Sequence, residues 1–248
     1  IKNFGPEETA QSMVGIFNAC AKISIFMTIF IQAFRYAAEP FFFSKAKDLD
    51  AKHAYIEIMN AIVIACCFIY LGLLLYIDLI QYFIGPAYRV GLPIVPILLM
   101  ANLFSAILYN LSIWYKLSDK TIYGAGVAIF GSVITIVLNI VLIPRFGYMG
   151  AAYASFACYF SMMVLSYFFG QKYYRVDYDV KRIILYVVTA FLLYKGTTFL
   201  PISNIYIKLG VHTLLLFGYA WFILILNPDM RKRVLQFVSR KIKSKDHE

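Results

Sequence analysis

Charged residues are scarce in this sequence. Lys, Arg, Asp and Glu together make up 15% of the 248 residues, whereas 62% of the residues are hydrophobic. A soluble globular domain has about 25% charged residues, so this chain lacks the polar surface that would enclose a water-soluble core. The shortage excludes a soluble enzyme, and the high hydrophobic content excludes a disordered chain.

Cysteine is also scarce, and its positions give it no evident chemistry. Cys20, Cys66, Cys67 and Cys158 lie in apolar stretches, without the spacing of a metal site or of a disulfide framework. We expect all four to be small buried hydrophobic residues. The sequence indicates no metal site, no other cofactor and no catalytic residue.

What the sequence does contain is a series of long uncharged runs. A helix needs about 20 residues to cross the hydrocarbon core of a bilayer. Five uncharged hydrophobic runs reach that length, and two more are interrupted only by Lys22 or by Lys195 with Pro201. The pattern predicts an all-α polytopic membrane protein with seven transmembrane helices, at residues 12–34, 57–78, 93–115, 122–143, 149–170, 183–200 and 207–227.

The basic residues, 23 against 13 acidic ones, lie mainly on one side of this predicted topology. Lys and Arg are retained on the cytoplasmic side of a membrane. We therefore expect residues 1–11 to form an outside loop, 171–182 a cytoplasmic loop and 228–248 a basic cytoplasmic tail. The tail has an amphipathic pattern that favours an anionic lipid surface, and nothing in it indicates nucleic-acid binding.

The amino end of the sequence has neither an initiator methionine nor a signal segment. With seven spans and a cytoplasmic tail, this end is also expected outside the cell, which is unusual without a signal. We therefore expect the chain to be the carboxyl-terminal part of a longer protein.

Four stretches of the sequence carry a resemblance to a known family. They read VGIFNACAKI at 14–23, IGPAYRVGLPIVPILL at 84–99, NLSIWYKLSDKT at 110–121 and LNIVLIPRFGYMGAAYA at 138–154. In these stretches the chain resembles the O-antigen type polysaccharide flippases of the multidrug/oligosaccharidyl-lipid/polysaccharide superfamily. The resemblance covers residues 1–170, and the last two predicted spans share only hydropathy with the family.

The resemblance implies an architecture and a function. Residues 12–170 would form the second-lobe bundle of a fourteen-helix flippase, without its first helix, and 183–227 its two extra helices. Such a protein is not an enzyme. By alternating access it carries a polyprenyl-diphosphate-linked oligosaccharide from the inner to the outer leaflet of a bacterial inner membrane, for O-antigen, capsule or exopolysaccharide synthesis. Its partners would be membrane lipid, a coupling proton or sodium ion, and the amino-terminal lobe of the same protein.

Lys22 is the most distinctive candidate for a transport site. It lies about halfway along the first span, where a lysine costs about 2.5–3.5 kcal/mol. Asn18 and Tyr36 share its helical face. A cation there suits the diphosphate of the cargo. Alternatively, Lys22 reaches the interface by snorkelling or bonds to a neighbouring helix.

Polar residues of two spans supply the remaining candidates. Asn102 and Tyr109 share a face of the third span, with Asn110 beside them, and these side chains either bind sugar hydroxyls or join helices. Arg35 and Glu39 are spaced i,i+4 near the cytoplasmic end of the first span. They form either an interfacial ion pair or a gate or coupling site.

Small residues recur where helices are expected to approach closely. Gly124, Ala128 and Ser132 follow one another every fourth position in the fourth span, and Gly147 and Gly150 lie at the start of the fifth. Both groups predict close helix packing.

Three other functions are open. A multidrug or cation antiporter of the same superfamily would place carboxylates in its cavity, whereas the mid-membrane charge here is a lysine. A membrane-embedded glycan polymerase or ligase needs a large outside loop with catalytic Arg or His, and the predicted outside connections are short. A seven-helix receptor shares the predicted topology but lacks the four flippase-like stretches.

Overall fold

The computed structural model describes residues 6–45, 51–199, 204–228 and 230–232. Over these ranges the chain is α-helical and forms no strand. Six helical segments are long and apolar enough to cross a membrane. The predicted all-α fold is therefore confirmed, and its helices are compatible with a multi-pass membrane protein, but the number of such segments differs from the predicted seven.

The helices follow one another with short connections. In chain order they are α1 (Pro6–Lys45), α2 (Ala51–Leu75), α3 (Ile77–Ile80), α4 (Val95–Leu111), α5 (Ile113–Leu117), α6 (Thr121–Phe146), α7 (Tyr148–Tyr173), α8 (Val180–Thr198) and α9 (Ile205–Leu226). Two 3₁₀ segments, Gln81–Phe83 and Pro86–Ile94, connect α3 to α4. The predicted span 12–34 is part of a longer helix, since α1 continues through Pro40 as far as Lys45.

The difference in the number of spans comes from α8. This helix lies over the predicted span 183–200 as far as Thr198, and it contains Lys181, Arg182 and Lys195. Its uncharged stretch, 183–194, is well short of the roughly 20 residues that cross a bilayer. By length and composition α8 is therefore not among the six candidate spans.

The two central helices are α2 and α4. Helix α2 packs against α1, α4, α8 and α9, and α4 packs against α1, α2 and α7. Between them they bury Val63 and Leu71 of α2 and Leu99 of α4 completely. The four cysteines are buried with free thiols, as predicted.

The turn between α6 and α7 depends on glycine. Gly147 has a φ of 57°, in the left-handed region that other residues enter only with strain. Just after it, a Cβ built on Gly150 would collide with the backbone carbonyl of Leu142 on α6. The close packing predicted at Gly150 is therefore present, and a Cβ on Gly124 would meet the Tyr115 ring, but Ala128 and Ser132 of α6 are exposed.

The two ends of the helix bundle differ in chemical character. At the end where α1 and α5 finish and α2 and α8 begin, Phe42, Tyr55, Ile113 and Val176 form a small second core. We call this the basic end, because described cations gather there: Lys45, Lys52, Lys116, Lys120, Lys172, Arg175, Lys181 and Arg182. The opposite end has Arg89, Arg145, Lys195 and Lys208.

Two predicted terminal segments fall partly outside the described residues. Of the predicted outside loop 1–11, residues 6–11 belong to α1 and residues 1–5 lie outside the described ranges. Of the predicted basic tail 228–248, the structure describes 228 and 230–232.

Candidate functional site

Lys22 lies on an exposed face of α1. Asn18 and Tyr36, the two residues predicted to share its face, are exposed as well, Tyr36 by 72%. Gln32 and Ile29 belong to the same exposed face. Lys22 makes no hydrogen bond or ion pair with any described residue. The helical spacing thus brings three of the predicted substrate-binding residues together on one uncovered surface.

The exposed faces of α1 and α6 differ in polarity. On α1, Gln11, Asn18, Lys22 and Gln32 form an exposed polar stripe along the candidate span, with exposed apolar side chains such as Val14 and Phe26 beside it. On α6 the exposed face consists mainly of large apolar side chains: Ile122, Ile129, Val133, Ile136 and Ile140. An exposed apolar face suits lipid, whereas a polar stripe at membrane depth needs protein or a water-filled cavity beside it.

Asn102 joins α4 to α1. Its Nδ2 donates to the Ser24 carbonyl oxygen and to Thr28 Oγ1, both at 3.2 Å. A side-chain amide in this position stabilises the helix pair, which is the helix-joining alternative. Asn102 therefore lies next to the exposed face of α1. Its described hydrogen bonds are to α1, and they use its amide group to join the two helices.

Asn110 does not lie on the surface that carries Lys22. Its side chain is 3% exposed, and neither its Oδ1 nor its Nδ2 has a hydrogen-bond partner among the described residues. It lies inside the bundle near the basic end of α4. The structure therefore separates Asn110 from Asn18, Lys22 and Tyr36.

Tyr109 belongs to an ionic cluster near the basic end, which we define by Arg35, Glu39, Tyr109 and Lys116. Lys116 Nζ lies 2.7 Å from Glu39 Oε1, and the Tyr109 hydroxyl donates to Glu39 Oε2 at 3.0 Å. The Arg35 guanidinium carbon lies 4.6 Å from the centre of the Tyr109 ring, within cation–π distance. The cluster has one carboxylate and two cations.

The ionic cluster differs from the simple i,i+4 pair that the spacing of Arg35 and Glu39 suggests. Glu39 pairs with Lys116, 77 residues away along the chain. Arg35 stacks on Tyr109 instead, and its buried Nε has no hydrogen-bond partner among the described residues. The carboxylate therefore fastens the end of α1 to α4 and α5.

A second polar group at the opposite end was not identified from the sequence. Lys208 of α9 forms an ion pair with Asp78 of α3, and the Tyr76 and Thr213 hydroxyls share a hydrogen bond of 2.7 Å. His212 is buried, with its Nδ1 on the Leu75 carbonyl oxygen. These contacts attach α9 to the junction of α2 and α3. The sequence contained a signal for this group: Lys208 and His212 lie at the start of the last apolar run, where charged and imidazole side chains need polar partners.

Arg89 and His212 have structural partners. Arg89 Nε donates to the backbone carbonyls of Gln81 at 3.2 Å and Ile84 at 3.3 Å, and its guanidinium lies over the Tyr82 ring. Arg89 therefore stabilises the segment between α3 and α4, and His212 attaches the start of α9 to the end of α2.

Fold and site together define an α-helical, membrane-type bundle with a polar stripe on one outer helix. Compared with protein-family models and with curated proteins, the chain shows no match.

Proposed function

We propose that this chain is the carboxyl-terminal part of a transmembrane flippase. Its cargo is a polyprenyl-diphosphate-linked oligosaccharide, which it moves from the inner to the outer leaflet of a bacterial inner membrane by alternating access. The four flippase-like stretches support this family. The observation that carries the proposal is the position of Lys22 on the polar face of α1, where it is exposed and has no hydrogen bond or ion pair with any described residue.

The free-energy cost of placing a lysine in lipid indicates that the exposed position of Lys22 faces protein or water in the membrane. A cation at the middle of a membrane-spanning helix costs about 2.5–3.5 kcal/mol on insertion scales unless it is paired or hydrated. Within the described chain nothing offsets this cost for Lys22. The α1 face is therefore proposed to line the cavity between two lobes, where Lys22 binds the diphosphate and Asn18 and Tyr36 contact the sugar.

The gathering of cations at one end supports the proposed orientation. Lys and Arg accumulate on the cytoplasmic side of membrane proteins. The basic end is accordingly proposed to face the cytoplasm. The ionic cluster of Arg35, Glu39, Tyr109 and Lys116 would then lie at the cytoplasmic mouth of the cavity, where it acts as a gate that opens when Glu39 and Lys116 separate.

The contacts of two residues weigh against a glycan polymerase or ligase. Such an enzyme would need a free arginine or histidine at the outer end. Arg89 and His212 at that end are both bound to backbone carbonyls, which leaves Arg145, exposed in the last turn of α6, as the remaining described candidate there. A cation antiporter is disfavoured because the charge on the α1 face is positive.

The proposal is tested by substituting Lys22 in the protein that carries this chain. Charge-assisted hydrogen bonds are worth about 1.5–3 kcal/mol, so Lys22→Ala should lower the flipping rate about tenfold or more. Lys22→Arg should retain most of the activity, because the charge is kept. The measurement is the ratio of surface polysaccharide to lipid-linked oligosaccharide retained in the inner leaflet, at equal protein level.

The matched control is Ile129→Ala on the apolar face of α6, which is 66% exposed and should leave transport unchanged. Normal transport by Lys22→Ala would refute a role for Lys22 in cargo binding. Efflux of organic cations by the unsubstituted protein, without any effect on polysaccharide, would favour the antiporter.

A further inference from the structure

A groove with apolar walls lies between α7 and α8. Its volume is about 470 Å³, and its lining comes from α2, α4, α7, α8 and Tyr178 of the α7–α8 connection. The groove exists because α7 packs against α4 whereas α8 packs against α2. No residue of α1 lines it, so the groove is separate from the surface that carries Lys22.

The outer edges of the groove are large exposed hydrophobic side chains. Phe160 and Phe168 of α7 are 44% and 64% exposed, and Ile184 and Val188 of α8 are 55% and 44% exposed. The lining extends from Phe160 to Phe168 on α7 and from Val180 to Val188 on α8, which corresponds to a length of about 12 Å on each helix. An elongated apolar groove of this kind fits a hydrocarbon chain.

Two lysines stand at the basic end of the groove. Lys181 precedes Ile184 and Val188 by three and seven residues and therefore shares their side of α8. Lys172 follows Phe168 by four residues and lies on the corresponding side of α7. Both lysines are exposed, and neither has a carboxylate partner among the described residues.

Neighbouring cations are already compensated. Arg175 pairs with Asp177 at 2.9 Å, and Arg182 pairs with Asp179 at 2.8 Å. The positive charge left at the mouth of the groove is therefore that of the two lysines. Tyr178, which lines the groove at this end, adds no charge, because burial raises the pKa of its hydroxyl.

We propose that this groove binds an anionic glycerophospholipid. One acyl chain occupies the apolar walls, and the phosphate lies between Lys172 and Lys181. Charge complementarity selects an anionic lipid over a zwitterionic one, because only the former has a net charge to match the lysines. The bound lipid would bridge α7 and α8 and would offset the positive charge of Lys181 in the first turn of α8.

The head-group contact is tested by native mass spectrometry. The purified protein is measured with added phosphatidylglycerol or with added phosphatidylcholine. The double variant Lys172→Gln/Lys181→Gln should lose phosphatidylglycerol binding about fivefold for each lysine removed. The control Lys120→Gln/Lys232→Gln removes two exposed lysines that do not flank the groove and should bind as the unsubstituted protein does. Equal binding of the two lipids by the unsubstituted protein would overturn the proposal.

A second variant tests the acyl-chain contact without touching charge. Ile184→Trp should fill the groove and remove at least about four-fifths of the bound phosphatidylglycerol, since burial in an apolar site scales with the area available. Val133→Trp on the exposed face of α6, 54% exposed, is the control for added bulk. Unchanged lipid binding by Ile184→Trp, or equal loss in both tryptophan variants, would contradict binding in the groove.

Discussion

Glu39 holds two parts of the molecule together through a single carboxylate. One oxygen accepts from Lys116 and the other from Tyr109. The side chains of Lys116 and Glu39 are only 26% and 30% exposed, so water screens the pair less than it screens a surface ion pair. Removing Glu39 leaves the cluster with two cations and no carboxylate, whereas removing Lys116 leaves Glu39 with the Tyr109 hydroxyl and the charge of Arg35.

A double-mutant cycle on this pair is the first residue-scale prediction. Glu39→Gln and Lys116→Gln should each destabilise the protein, and the double variant should recover part of the loss. We expect a coupling free energy of about 0.5–3 kcal/mol, measured by chemical unfolding in mixed micelles.

The pair formed by Arg175 and Asp177 serves as the control for this cycle. Its side chains are 74% and 78% exposed, and exposed pairs contribute little to stability. The same cycle there should show almost no coupling. Equal coupling in both pairs would mean that burial does not strengthen the contact of Glu39 with Lys116.

Gly150 gives a second prediction at this scale. Gly150→Ala should lower the apparent melting temperature in detergent by several degrees, because the new Cβ meets the rigid Leu142 carbonyl at a cost of about 1–3 kcal/mol. Gly126→Ala on α6 is the matched control, since no atom of the described residues lies within 4 Å of a Cβ there. Equal melting temperatures for the two variants would refute close packing at Gly150.

At the scale of elements, α9 is attached near its start and again in its second half. Near its start Lys208 and Thr213 bond to the α2–α3 junction, and further along the Tyr219 hydroxyl donates to the Tyr186 carbonyl of α8 at 3.0 Å. Much of the remaining surface of α9 is apolar and exposed, as at Phe217 and Trp221. A few polar contacts therefore position a helix whose outer face suits lipid.

Hydropathy predicts helices well where apolar runs are long. The ranges predicted for α6, α7 and α9 lie within three residues of the helices observed, and α2 begins six residues before its predicted start. The agreement arises because charge-free runs of this length have no other stable form in a membrane. Hydropathy predicts the ends of helices, and breaks within a long span, less well. Nothing in the hydropathy of the first span showed that the helix would continue through Pro40, and nothing divided the third span at Ser112.

The candidate site was predictable where it depended on one helix. The shared face of Asn18, Lys22 and Tyr36 follows from helical geometry alone and is present in the structure. Asn102 and Tyr109, predicted to share a face of the third span, both contact α1, whereas Asn110 beside them is buried without a hydrogen-bond partner among the described residues. Their environments depend on which helices pack against α4, and periodicity within one sequence holds no information on that pairing.

At the scale of the whole molecule, the basic end predicts sidedness. All four native cysteines are buried, so a membrane-impermeant maleimide should find little background. Arg145→Cys, at the opposite end, should react in intact cells. Lys120→Cys, at the basic end, should react only after permeabilisation. Both positions are exposed, which makes them a matched pair, and the reverse pattern of labelling would refute the proposed orientation.

The central position of α2 has a consequence for the order of assembly. Helix α2 ends at Leu75, while α9, one of the helices that cover it, begins only at Ile205. At roughly 5–20 residues per second, the ribosome needs on the order of ten seconds to synthesise the chain between them. During that interval the side of α2 that α8 and α9 will later cover, including Tyr70, must face lipid or the insertion machinery. By contrast, α6 can meet its main partner α7 as soon as the turn at Gly147 has formed, so the periphery of this bundle can be complete before its centre is.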